Sequence, residues 1–187
     1  MEETKDYITG KVNGVTSTSF PNIAENRTVI GLAYHEGKLF GSTTVFSGSG
    51  SVNPPPLQDE AIVFRFDPET EEIEQSVVPE IDGIDGHVRI VGDLSVGPDG
   101  LIWGVLDGFI DAANGFDAAI FAMNPDTLEI VKSKVITRSP YNTSKYRPYY
   151  IRFSDDGLMY TTIGRKLFAI NPETLQSKEM LPGTTVN

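Results

Sequence analysis

The sequence lacks cysteine entirely and has only two histidines among its 187 residues. These absences exclude disulfide bonds, thiolate zinc sites, a cysteine nucleophile and a histidine-rich metal cage. No stretch approaches the roughly 20 consecutive apolar residues that a membrane-spanning helix needs, so we expect no membrane span. Cations are also scarce, since 15 Lys and Arg stand against 26 Asp and Glu, and the resulting charge of −11 argues against a nucleic acid partner.

The remaining composition is that of one globular domain, with 39% hydrophobic and 22% charged residues. The first six residues are acidic and contain no apolar segment, so the sequence predicts no signal peptide. The compartment is left open, and an extracellular parent protein remains compatible with the sequence.

One pattern recurs three times along the chain, and such repeats are strong indicators of fold. Each copy has an apolar segment, a glycine turn at 37, 100 or 157, and later an Asp-Pro or Asn-Pro pair beginning at 67, 124 or 171. Glycine supplies the positive φ for a turn between the first and second strands. Asp or Asn followed by Pro is typical of a type I turn, here between the third and fourth strands.

The apolar segments alternate with a period of two, as in Ile62, Phe64 and Phe66, and no window has convincing helical spacing. The sequence therefore predicts an all-β fold of about three four-stranded antiparallel blades, forming a partial β-propeller. The predicted divisions are blade one at 29–78, blade two at 91–136, blade three at 148–181, and at 7–15 the outer strand of a preceding blade.

The segment Val96–Gly104, which reads VGPDGLIWG, and the Asp-Pro-x-Thr turns resemble bacterial β-propellers of the quinoprotein-like, surface-layer YVTN and gluconolactonase-like type. The resemblance extends to propeller regions attached to extracellular or carbohydrate-active bacterial proteins. Because these motifs specify turns, the resemblance implies a fold and leaves the activity open.

Three blades do not close a ring, because closed propellers have at least four. Two arrangements would complete it. In one, the remaining blades belong to a longer chain; in the other, two copies pair as a homodimer of six blades.

Propeller topology places the short turns of all blades on one face, here called the tight-turn face, and the other connections on the opposite long-loop face. The long connections lie at 47–59, 79–92, 107–118 and 138–149. Variable loops on a rigid frame commonly bind ligands, so the sequence predicts a binding surface on the long-loop face.

The candidate ligand-binding residues lie in or beside these loops. A histidine near the channel could act as a general base or a ligand, while the Tyr- and Arg-rich segment 138–152 offers rings for a sugar and guanidinium groups for a carboxylate. The set is His87, Arg89, Asp93, Asp107, Tyr146, Arg147 and Tyr149. His35 is instead predicted in a tight turn, on the other face, and no catalytic residue is predicted.

A group of acidic and amide side chains in blade two raises the question of calcium, which takes six to eight oxygen ligands. The group is Asp82, Asp85, Asp93, Asp107, Asp111, Asn114 and Asp117. Its spacing matches no calcium loop and Asp-Gly is common in turns, so we expect no cofactor, with calcium as the candidate if one is bound.

Two functions are weighed against each other, and a purely structural role in a longer surface protein also remains open. The first is a binding or interaction module for a saccharide or a protein. The alternative is a lactonase- or lyase-like enzyme, because the resemblance to gluconolactonase-like proteins implies channel carboxylates around a divalent metal. Whether the chain is an enzyme is not decided by its sequence.

Overall fold

A computed structural model describes residues 10–12, 15–17, 28–45, 59–84, 87–111, 115–139, 148–163 and 166–183. These residues form strands and turns without a helix, so the predicted all-β class is confirmed. No helix able to cross a membrane occurs in the described part of the chain. The strands are β1 (Gly10–Val12), β2 (Val15–Ser17), β3 (Thr28–His35), β4 (Lys38–Thr44), β5 (Val63–Asp67), β6 (Glu72–Val77), β7 (His87–Val96), β8 (Ile102–Asp111), β9 (Gly115–Met123), β10 (Ile130–Ser139), β11 (Pro148–Phe153), β12 (Met159–Ile163), β13 (Lys166–Ile170) and β14 (Ser177–Met180).

Strands β3 to β14 form three antiparallel four-stranded meanders, in which each strand pairs with the next along the chain. We call β3–β6 blade one, β7–β10 blade two and β11–β14 blade three. A single bridge between Thr44 and Ile90 links the first two blades into one eight-stranded sheet. The architecture is a partial β-propeller, as the repeat predicts.

Strands β1 and β2 form a short antiparallel hairpin, with Gly10 opposite Ser17. The prediction that 7–15 is the outer strand of a preceding blade stays a prediction, since residues 7–9 and 13–14 lie outside the described residues.

Two hydrophobic cores lie between the blades. Phe40 of blade one and Leu106 and Phe121 of blade two belong to the first, and Trp103 and Ile151 belong to the second, between blades two and three. Alternating side chains of blade two thus enter opposite cores, which explains why its inner strands are apolar on both faces. The innermost strands β3, β7 and β11 are neighbours, with β7 in contact with both others.

The glycine turns have the predicted conformation, with φ of +86° at Gly37, +76° at Gly100 and +78° at Gly157. In blades two and three an Asp precedes the glycine and accepts a hydrogen bond from the amide two residues later, at 3.3 Å for Asp99 and 2.9 Å for Asp156. Side chain and backbone therefore specify the same reversal.

The Asp-Pro and Asn-Pro turns are one residue wider than a type I turn. The amide four residues after Asp67, Asn124 or Asn171 donates to the carbonyl of that residue, at 2.8–2.9 Å. The Asp or Asn side chain accepts the amide hydrogen bond two residues later, at 2.7–2.9 Å. Because the side chain already accepts that amide hydrogen bond, the turn extends by one residue before the chain reverses. The added residue has a left-handed conformation and is Glu71, Leu128 or Leu175.

Candidate functional site

The innermost strand of every blade has a β-bulge near its N-terminal end. This is the end of the strand nearest the long-loop face. The register shifts between Val29 and Gly31 in β3, between Val88 and Ile90 in β7, and between Pro148 and Ile151 in β11. A bulge inserts a residue that takes no regular place in the ladder, and bulges are common beside functional sites because they redirect a side chain.

Two of the predicted site residues lie at the start of β7. His87 is exposed, and its Nδ1 lies 3.1 Å from Oε1 of Glu60. Arg89 occupies the bulge and is half-buried, while its carbonyl accepts hydrogen bonds from the Val45 amide at 3.0 Å and from Thr44 Oγ1 at 3.2 Å. These bonds attach the end of β4 to β7, so blade one supports the position of Arg89.

Asp93 lies at a second bulge in β7, where the register shifts between Val91 and Leu94. Its carboxylate forms an ion pair with Arg152 of β11 and accepts the Leu94 amide hydrogen bond at 3.0 Å. The Asp93 side chain is 13% exposed and that of Arg152 is 68% exposed. The pair therefore joins the innermost strands of blades two and three and leaves a cation at the surface.

Close packing of β3 against β7 holds this second bulge. Ser42 Oγ donates a hydrogen bond to the Gly92 carbonyl, and Gly31 lies directly against the backbone of Gly92 and Asp93. A Cβ at position 31 would collide with both residues, so only glycine permits this approach. The backbone beside Asp93 is therefore held by a contact between blades.

Asp107 differs from the other predicted residues because it is fully buried. It lies on β8, opposite Ile90 of β7, and its side chain is on the same face of β8 as those of Val105 and Trp103. It therefore does not belong to the exposed surface that includes His87 and Arg152.

The remaining predicted residues are only partly covered. Tyr146 and Arg147 lie outside the described residues, and Tyr149 is described as part of β11 by its backbone alone. Its neighbour Tyr150 is 63% exposed. The proposed ligand-binding roles of all seven residues stay predictions.

The set of individual residues predicted from the sequence omits three that the structure places at the inner strands: Arg152 and Tyr150, which belong to the predicted segment 138–152, and Glu60. The first two could have been found from period-two alternation, because they flank Ile151, which is fully buried. Glu60 has no such signal, since its approach to His87 depends on how blade one meets blade two.

Within the described ranges, no three His, Asp or Glu side chains are grouped as ligands for a metal ion. Asp93 is engaged by Arg152 and Asp107 is buried. The described part of the chain thus offers no observation that favours the calcium site or the lactonase-like alternative, and both stay predictions.

The tight-turn face has clefts between adjacent blades. One of about 410 Å³ lies between blades two and three and is lined by Asp99, Lys132 and Glu173. Another of about 310 Å³ lies between blades one and two, where His35 and Arg65 contribute to the lining. Both contain cations that bond to the neighbouring blade, so we assign them to the packing between blades.

No protein-family model and no curated protein matches the sequence. Solved structures match at low identity. The extracellular domain of BT4673 from B. thetaiotaomicron is 16% identical with a TM-score of 0.47, over 83% of this chain and 18% of that chain. A candidate gluconolactonase is 15% identical with a TM-score of 0.47, over 83% of this chain and 49% of its own.

The endo-arabinase from Bacteroides thetaiotaomicron VPI-5482 is 11% identical with a TM-score of 0.46, over 79% of this chain and 52% of its own. The chain thus spans between about a fifth and about a half of the length of these three proteins. Similarity at this level assigns no activity to this chain. Its fold is established by the strands of its own three blades.

Proposed function

We propose that the chain is a binding module that holds a saccharide against its inner-strand surface, by which we mean the exposed side chains of His87, Tyr150 and Arg152 together with the adjoining long loops. The alternative ligand of the same module is a protein. No turnover is expected from the surface itself.

The observation that supports this proposal is the bulge at the same place in all three innermost strands. A bulge interrupts the ladder, and its recurrence at the end nearest the long loops argues for a shared role in presenting side chains. The bulge in β7 contains Arg89. The bulge in β11 contains Tyr149 and Tyr150.

The chemistry of the inner-strand surface suits a saccharide. An exposed tyrosine ring can stack on the apolar face of a sugar, and its hydroxyl can exchange hydrogen bonds. The Arg152 guanidinium offers several donors, and the ion pair with Asp93 holds one end of it in place. His87 beside Glu60 adds a donor and acceptor pair at the rim.

A glycan array probed with the whole 187-residue chain, followed by calorimetric titration of the best glycan, tests the proposal. We expect saturable binding that weakens by about tenfold or more in His87→Ala and in Arg152→Ala. His35→Ala is the matched control, because it removes the other histidine from the opposite face and should leave the affinity unchanged.

Circular dichroism melting of each variant shows whether it is folded. If no glycan binds, the saccharide proposal fails and a protein ligand becomes the reading to pursue. If His35→Ala weakens binding as much as His87→Ala does, the inner-strand surface is not the site.

A further inference from the structure

The guanidinium group of Arg152 has one engaged edge and one open edge. Its Nη1 donates to the carboxylate of Asp93 and to the Ile151 carbonyl, the latter at 2.6 Å. These two bonds use both protons of Nη1. Within the described ranges, Nε and Nη2 of Arg152 donate to no acceptor. The Nε–H bond and one N–H bond of Nη2 are parallel, and together they form a fork that matches the two oxygens of a carboxylate.

The ion pair between Asp93 and Arg152 turns its positive side towards the solvent. Both carboxylate oxygens of Asp93 are engaged, Oδ1 by the Leu94 amide at 3.0 Å and Oδ2 by Arg152. The Asp93 side chain is mostly buried and that of Arg152 is mostly exposed. An incoming ligand therefore meets the open edge of the guanidinium group. Charges more than about 8 Å away are largely screened at physiological ionic strength, so distant carboxylates of this acidic chain oppose an anion only weakly here.

The repeat does not require a cation at the position of Arg152. In every blade the equivalent residue of the innermost strand pairs with the first aromatic residue of the second strand. The pairs are Ala33–Phe40, Ser95–Trp103 and Arg152–Tyr160. A small side chain thus serves the strand in blades one and two, so the fold of the repeat does not account for a guanidinium group in blade three.

Tyr150 is held beside the open edge of Arg152. The two residues flank Ile151, which is fully buried, so their side chains lie on one face of β11. Tyr150 lies in the β11 bulge, and its carbonyl accepts a hydrogen bond at 2.6 Å from Oγ1 of Thr161, a buried residue of β12. A bulge disrupts the regular ladder, and the threonine hydroxyl bonds the backbone at that point. The backbone that carries the tyrosine ring is therefore fixed before a ligand binds, which lowers the entropy cost of binding.

We propose that the saccharide bound by the inner-strand surface carries a uronate, and that the open edge of Arg152 donates two parallel hydrogen bonds to its carboxylate. Such charge-assisted pairs are roughly twice as strong as neutral hydrogen bonds. The exposed ring of Tyr150 stacks on the apolar face of the same sugar. Residues two apart in a strand are about 7 Å from each other, so one sugar reaches both side chains. The inference rests on the proposed saccharide binding and narrows the ligand to acidic sugars.

Calorimetric titration of the whole 187-residue chain with acidic oligosaccharides tests this assignment. The probes are oligomers of galacturonate and of glucuronate, each compared with its methyl ester, which has the same rings without the carboxylate charge. We expect the free acid of at least one pair to bind about tenfold or more tightly than its ester. A sulfated neutral oligosaccharide distinguishes a carboxylate from any other anion.

Three variants separate the fork from the charge. Arg152→Lys keeps a positive charge beside Asp93 but replaces the planar fork by a point charge, so the preference for the free acid should fall towards onefold. Arg152→Gln should abolish the preference. Lys178→Gln is its matched control, because it removes an exposed cation from the outermost strand of the same blade and should keep the preference. Circular dichroism melting shows that each variant is folded.

Equal affinity for the free acids and their esters overturns the uronate assignment, while the saccharide module itself stands if a neutral glycan binds and His87→Ala weakens that binding. Tighter binding of the sulfated oligosaccharide than of either uronate also overturns the assignment. A preference that Arg152→Lys leaves unchanged, or that Lys178→Gln reduces as much as Arg152→Gln does, excludes the fork as its source. Absence of binding by any saccharide contradicts both proposals.

Discussion

On the tight-turn face, the Asp99 side chain joins the turn at Gly100 to strands β8 and β10 of blade two. Its carboxylate accepts hydrogen bonds from Trp103 Nε1 at 2.9 Å and from Lys132 Nζ at 3.2 Å. The same ammonium group lies 5.5 Å from the Trp103 ring and bonds to Pro172 of blade three. Burial raises the pKa of Asp99, but the bonds from Trp103 and Lys132 outweigh it, so the pKa lies below its usual value of 3.8.

The lowered pKa of Asp99 predicts how stability depends on pH. A carboxyl whose pKa is lowered by folding stabilises the native state above its unfolded pKa, and that contribution is lost as the pH falls through the lower folded pKa. Asp99→Asn should therefore lower the free energy of unfolding at about pH 7, with the difference from wild type shrinking towards about pH 2. Urea unfolding at several pH values measures this, and a pH-independent difference would contradict it.

Single residues differ in how far the sequence specifies them. The positive φ values at Gly37, Gly100 and Gly157 were predictable because a turn is determined by a few adjacent residues. The ion pair between Asp93 and Arg152 was not, because its partners are 59 positions apart and meet only through the stacking of two blades. Two of the predicted site residues, Tyr146 and Arg147, lie outside the described residues, so their predicted roles stay predictions.

Within each blade, a phenylalanine lies three residues before the turn Asp or Asn, at Phe64, Phe121 and Phe168. In blades one and two this ring covers a glycine of the second strand, Gly41 or Gly104, which is its cross-strand partner. In blade three the partner of Phe168 is Thr161. Because glycine has no side chain, the phenylalanine ring of the third strand can lie over the backbone of the second strand and shield it from water.

This contact gives a prediction at the scale of the blade. Gly104→Ala places a methyl group into the Phe121 ring and against Leu94, so it should destabilise the protein by about 1–3 kcal/mol. Gly100→Ala is the matched control, because nothing surrounds its Cβ and only the positive φ opposes it, at a cost of about 1 kcal/mol. Thermal and urea unfolding provide the comparison, and a smaller loss for Gly104→Ala would contradict it.

The elements of the fold were more predictable than their irregularities. Alternation and repeated turns indicate four strands per copy, because both are local properties of the sequence. The bulges at Arg89 and at Tyr149–Tyr150 leave no comparable signal, since a bulge shows only in how a strand pairs with its neighbour. Tyr150 of the candidate site lies in one of these bulges, and His87 and Arg152 lie within two residues of them, so the site was harder to predict than the blades.

For the whole molecule, the decisive interactions lie between sheets. Trp103 of blade two is fully buried and meets the Phe153 ring of blade three edge to face, with 6.0 Å between ring centroids. The inner-strand surface exists only if the blades stack in this way, because β7 and β11 supply its residues together.

The contact between Trp103 and Phe153 provides the most direct test of the stacked-blade architecture, since the sequence contains a single tryptophan. The measurement is a nuclear Overhauser spectrum of the folded chain, with Phe153→Leu used to assign the ring signals. Stacked blades predict strong cross-peaks between the indole protons of Trp103 and the aromatic protons of Phe153, lost in the variant. A folded chain whose indole shows no contact with any residue of blade three would contradict the architecture.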